Sequence, residues 1–304
     1  MMHRLLLTSL VVSGLPMAAS AQAQPVPPSD DEEIVIRKRI DIDGAEARTQ
    51  AREVTHRAGS SSEPMARFQS PICPGTFGLL KANAQAVIER IYANAEAAGL
   101  DIALEENCKA NVWTIIVDDP ATEFEKLEKE DSFLIDKMSK AERNAVRGQT
   151  GPTRAWTLTS TRDDNGVPIP TGWEMQTRGL PGQPSWTPTT RMSRLHVPVR
   201  RDIDGAVVLV ARSALADIDA FTLADYVTMR GLAQTREPDG PGEFDSILTV
   251  FGERRAERLT TFDRAFLKSL YLSGAHRPSG MAMASLTKLM EEELNAGLDD
   301  EGDD

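Results

Sequence analysis

The sequence predicts an α+β protein, a small mixed sheet with helices packed on it and a mainly helical C-terminal region. Three observations predict it. Apolar residues recur at helical spacing up to Gly99 and are followed by a continuous apolar run of strand length at 111–117. A middle stretch is punctuated by Gly and Pro, as short strands joined by turns would be. The last third then returns to helical spacing. With 40% hydrophobic but only 5% aromatic residues, the core must be built mostly from Leu, Ile, Val and Ala.

The N-terminus reads as a Sec-type signal peptide. Met1 to Arg4 form a short basic start, Leu5 to Ala19 supply the apolar run, and Gly14 and Pro16 interrupt it. Ala19-Ser20-Ala21 or Ala21-Gln22-Ala23 offers the small residues of a cleavage site, near Ala21 or Ala23. The run is too short and interrupted to span about 30 Å of hydrocarbon. The expectation is a periplasmic or secreted protein with no transmembrane segment in the mature chain.

Cleavage after Ala23 removes Arg4 and leaves 33 Lys and Arg against 46 Asp and Glu, a net charge of −13. No basic stripe exists to release counterions, so nucleic acid is excluded as a partner, and an envelope protein or glycan is expected instead. Cys73 and Cys108 are the only cysteines. After an export signal an isolated pair reads as a disulfide, worth roughly 3–4 kcal/mol by chain entropy. With no His nearby, the two cannot complete a zinc site.

Residues 24–66 read as a flexible leader, Pro-rich and acidic at 25–33 and Ser-rich at 59–64. Between these, Glu33 to Ile40 is β-prone and resembles the energy-coupling box of outer-membrane receptors, although a strand docking on its own domain is the favoured reading. Residues 67–296 form a single α+β domain, with a sub-boundary near 148–192. An acidic, disordered tail occupies 297–304.

Within the domain, Leu79, Leu80, Ala84, Val87, Ile88, Ile91, Tyr92 and Ala95 predict a helix that Gly99 stops. Asn111 to Val117 predicts a buried strand, and Asp118-Asp119-Pro120 starts the next helix. A second helical segment covers Phe133 to Val146. A strand over Arg154 to Arg162 precedes the turn Asp164-Asn165-Gly166. Trp156, Trp173 and Trp186 lie in this region; they suit stacking on sugars, but filling a core short of Phe is the favoured reading. Strands at 194–199 and 205–210 flank a turn, and helices follow at 222–235, 263–272 and 281–296.

From Leu195 to Met281 the chain resembles a family of secreted proteins of Gram-negative bacteria related to zinc-dependent peptidases. The resemblance is carried by the strand Gly205 to Val210, the helix Leu223 to Leu232, Phe244 to Phe251, and Leu259-Thr260-Thr261-Phe262-Asp263 with the later Leu270-Tyr271. It implies a zincin-like fold. In the metal-dependent relatives the helix bears His-Glu-x-x-His; here it carries Asp225, Tyr226 and Met229. A thioether and one carboxylate cannot hold catalytic zinc. His56, His196 and His276, the histidines left after cleavage, are none within four positions of another. No metal and no cofactor are expected.

No nucleophile elbow, phosphate loop or dinucleotide turn occurs. Ser285 and Lys288 have Ser-x-x-Lys spacing but lack the companion motifs of penicillin-recognising enzymes. Asp118 and Asp119, at a strand end, are the best-placed carboxylates for acid/base work on a glycan, although caps and solvated turns explain such residues more simply. The leading expectation is a non-catalytic binding protein, a zincin-like shell without its metal. The alternative is a cell-envelope hydrolase using Asp118 and Asp119.

Overall fold

The computed structural model describes residues 41–55, 63–105, 107–170, 193, 196–240, 242–252 and 256–300, with only the backbone described at 297–300. The N-terminal stretch read as a signal peptide, the 33–40 patch, His56, Trp173 and Trp186 lie outside the described residues.

Four strands form one sheet in the order β1-β2-β4-β3: β1 Pro74–Phe77, β2 Val112–Val117, β3 Thr153–Asp163 and β4 Val199–Ala211. β1 and β2, and β2 and β4, pair in parallel, while β3 pairs antiparallel with β4. Helices α1 Gly44–Val54, α2 Lys81–Ala98, α3 Pro120–Lys129, α4 Lys140–Arg147, α5 Ala220–Leu232, α6 Thr261–Leu272 and α7 Leu286–Asp300 complete the α+β fold. A single helical turn at Ser279–Ala282 precedes α7.

Strand periodicity divides the core in two. Val112, Ile116, Ala206, Val208 and Val210 face a large cluster shared with α1, α2, α5, α6 and α7. Their neighbours Val207 and Leu209 turn to the opposite face, with Trp113, Ile115 and Val117 beside them. There they meet Phe124 of α3, Val146 of α4 and Leu134, Ile135 and Met138 of the α3–α4 connection. Both faces are therefore covered, which explains why β2 and β4 read as unbroken apolar runs rather than alternating ones. Trp156 belongs to the second cluster, edge-on to Phe124, and its indole N–H donates to the Leu134 carbonyl at 2.8 Å.

Local signals account for the helix ends. Gly99 adopts φ +85° and closes α2 through the carbonyls of Ala95 and Glu96. Ser139 and Glu142 form a capping box on α4, as Thr260 and Asp263 do on α6. The Arg67 guanidinium meets the carbonyls of Leu270, Tyr271 and Ser273, capping the C-terminal end of α6. A disulfide joins Cys73, just before β1, to Cys108 in the loop before β2, with Cα atoms 6.1 Å apart. No helix among the described residues is long and apolar enough to cross a membrane.

Three expectations are corrected. Residues 44–54, read as leader, form α1, whose Ala47, Ala51 and Val54 are buried in the main cluster. Where two strands separated by a turn were expected at 194–199 and 205–210, one continuous β4 runs over Val199–Ala211, and residues 194–195 lie outside the described residues. The register shift opposite Leu158 and Thr159 absorbs the Asp202–Gly205 stretch without a turn. The tail reading also starts too early, because α7 stays helical to Asp300.

Candidate functional site

Asp118 and Asp119 sit at the end of β2, as their position predicts, but not as an acid/base pair. The Asp119 carboxylate is the N-cap of α3, accepting from the Ala121 N–H at 3.0 Å and the Thr122 hydroxyl at 2.6 Å. Those hydrogen bonds, the Thr122 hydroxyl first, hold its pKa below the usual carboxylate value, which makes it a poor base. The Asp118 side chain is 97% exposed and lies 3.7 Å from Arg212. Neither borders the cleft described below.

The helix that the sequence resemblance aligns with a zinc motif, Leu223 to Leu232, is part of α5. Asp225, Tyr226 and Met229 are all completely buried there. Asp225 accepts from Arg90, Asn94 and the Leu259 N–H. Met229 lies in the main cluster. These groups are committed to packing and do not fit a metal.

Tyr226 points toward a different feature. A cleft of about 280 Å³ opens between α4, the outer edge of β3 and the end of α5, lined among others by Glu142, Gln149, Thr153, Arg230, Arg236 and Glu237. Burial pushes the Tyr226 phenol far up, so it stays protonated. Its hydroxyl and that of Thr153 both donate to Glu237 Oε1, at 2.5 and 2.9 Å.

Arg230 sets the electrostatics of this cleft. It is 3% exposed, and its guanidinium donates to the Thr235 carbonyl at 3.0 Å and to Gln149 Oε1 at 3.1 Å. Its Nε is buried with no hydrogen-bond partner, and no carboxylate forms an ion pair with it among the described residues. A buried cation without a counter-ion is costly unless a ligand compensates it. Gln149 connects Arg230 to the sheet. Its carboxamide accepts from the Ala155 N–H at 2.9 Å and donates to the Ala155 carbonyl at 2.7 Å. β3 is an edge strand, and Ala155 turns its peptide groups outward. Gln149 therefore occupies the place of a neighbouring strand.

A second cluster lies at the far end of β3. Asp164, His196 and His276 bring one donor atom each within 4.8 Å of one another. Sequence reading missed both places. Arg230 left a signal, a guanidinium in an apolar helix with no acid three or four positions away. The histidines left none, since they stand 80 positions apart. Compared with protein-family models, with curated proteins and with solved structures, the chain matches none of them.

Proposed function

We propose that this chain is a non-catalytic binding protein of the periplasm or the secreted medium, and that its ligand is an extended segment of an envelope protein. The segment adds to the outer edge of β3 in place of the Gln149 side chain. The observation that carries this reading is the two-way hydrogen bonding of Gln149 to Ala155, backed by Arg230, a buried cation with no carboxylate partner among the described residues.

An edge strand with free peptide groups recruits other chains, and proteins shield such edges until the right partner arrives. A single carboxamide is a removable shield. Once it swings away, the Ala155 N–H and carbonyl accept a ligand strand, and Arg230 gains room for a ligand carbonyl or carboxylate. Glu142 and Arg236 at the cleft supply charges of both signs for specificity. The Cys73–Cys108 disulfide suits an oxidising compartment. A zincin-like shell whose motif positions have become packing residues agrees with this reading. The hydrolase alternative finds no support in the placement of Asp118 and Asp119.

The test is site-specific photo-cross-linking in cells, with the reactive group at Thr150 on the cleft or at exposed Leu272 as control. Peptide adducts should form from Thr150, be absent from Leu272, and increase several-fold when Gln149→Ala removes the shield. Equal yields from the two positions, or no response to Gln149→Ala, would reject the reading.

A further inference from the structure

We infer that Asp164, His196 and His276 form a binding site for one divalent transition-metal ion, zinc by preference. The three residues come from distant parts of the chain. Asp164 follows β3 in a tight turn, where Asp163 accepts from the N–H groups of Asn165 and Val167 and Gly166 takes φ +80°. His196 precedes β4 and is held by paired backbone bonds with Ser193. His276 lies beyond α6, and its carbonyl accepts from the Val197 N–H at 2.8 Å. Backbone hydrogen bonding thus fixes the segments bearing both histidines.

Both histidine nitrogens lie at coordination-sphere distance from the Asp164 carboxylate, and all three donor atoms fall within 4.8 Å of one another. Asp164 Oδ1 is 3.5 Å from His196 Nε2 and 3.5 Å from His276 Nδ1. Tetrahedral zinc with ligand bonds of about 2.0–2.2 Å separates adjacent donor atoms by about 3.3–3.6 Å. The two imidazoles stack with centroids 4.8 Å apart and planes 24° apart, so ligation of one ion requires the rings to turn until both lone pairs converge on it. In the metal-free chain His276 Nδ1–H donates to the Val197 carbonyl at 3.1 Å, so a bound ion takes the place of that proton.

The chemistry of the donor set points the same way. His196 Nε2 is buried and has no hydrogen-bond partner among the described residues, although the side chain as a whole is 38% exposed. A buried ring nitrogen facing a carboxylate oxygen and a second imidazole is accounted for by a cation between them. Two imidazole nitrogens and one carboxylate oxygen suit a borderline ion such as zinc rather than calcium or magnesium, which take oxygen ligands. Asp164 and His276 side chains are 12% and 19% exposed, so the site is sheltered yet open to solvent through His196. With three protein donors, a fourth position remains for water or a ligand group.

This site is distinct from α5, whose motif positions are packed and hold no metal. Zinc itself is the probe. The full mature chain, without a histidine tag and stripped with chelator, is titrated with zinc by calorimetry, and retained metal is measured after dialysis. One zinc per chain is expected, with the ring signals of His196 and His276 shifting together in NMR spectra of the wild-type protein. The double variant H196Q/H276Q should bind more weakly by more than the 10–100-fold that loss of an outer-sphere partner costs. Chelated variant and chelated wild type should share one melting midpoint, and zinc should raise only that of the wild type. Failure of the wild type to retain zinc overturns the site, as does binding that leaves both ring signals unmoved. The NMR readout decides the matter even if the double variant does not fold.

Discussion

Arg90 on α2 grips Asp225 on α5 with both prongs of its guanidinium, Nε at 2.7 Å from one carboxylate oxygen and Nη2 at 3.0 Å from the other. Asn94 and the Leu259 N–H bond the same carboxylate at 2.7 and 2.9 Å, so one fully buried acid ties α2, α5 and the start of α6 together. The Asp225 hydrogen bond raises the Arg90 pKa further, so the guanidinium stays charged. Asp225→Ala leaves a guanidinium and an amide without their acceptor. The expected loss is about 3–5 kcal/mol, read from the urea midpoint. A loss below about 1 kcal/mol would mean the pair contributes no more than a surface one.

Asp263 gives the chain a pH-dependent term. Burial pushes its carboxyl from 3.8 up to about 6, against the pull of hydrogen bonds from Ser246, Ile247 and Thr260. A raised carboxyl pKa means the folded state binds the proton more readily than the unfolded state. The contribution of Asp263 to stability is therefore largest below about pH 4 and declines as pH rises through about 6. Comparison with Asp263→Asn cancels the opposite trends of Asp219 and Glu293, whose pKa values are lowered. The stability of wild type relative to Asp263→Asn should fall by about 2 kcal/mol between pH 4 and pH 7. A relative stability that grows over this range would show the ionised form to be the preferred one.

Much of the sheet was legible, because β2 and β4 are covered on both faces and so read as runs of β-branched residues. Gly99 and Asp119 marked their helix ends by chemistry that acts within a few residues. What failed depends on partners distant in sequence. α1 buries small side chains, Ala47 and Ala51, whose spacing is helical but whose hydrophobicity is too low to stand out from a polar leader. Asp202 and Asp204 looked like a turn, yet Arg162 reaches both of them from β3 and lets β4 continue through. The α+β class followed from local pattern, whereas the Asp164–His196–His276 cluster and the Gln149–Ala155 bond exist only once the strands are paired.

The Cys73–Cys108 disulfide closes a loop that contains α2. By chain entropy, opening it should cost about 4 kcal/mol. Alkylation of the native protein without reductant should leave its mass unchanged, and reduction should make both thiols reactive and lower the melting midpoint. Labelling of both cysteines before reduction would contradict the bridge.

Arg230 provides the sharpest separation of stability from function. A cation 3% exposed and without a carboxylate partner among the described residues costs desolvation energy that two neutral acceptors, Thr235 and Gln149, and the Tyr226 ring 6.0 Å away only partly offset. Methionine nearly matches its reach without the charge. If the guanidinium is kept for a ligand, Arg230→Met should leave folding stability unchanged or raise it, by up to about 1–3 kcal/mol in urea. The same substitution should abolish cross-linking from Thr150, because the ligand strand loses the group that compensates it. A strongly destabilised Arg230→Met protein would place the guanidinium among the structural supports of α5, beside the Asp225–Arg90 pair. Retention of cross-linking in a stable variant would remove Arg230 from the binding site and leave the β3 edge to act through backbone hydrogen bonds alone.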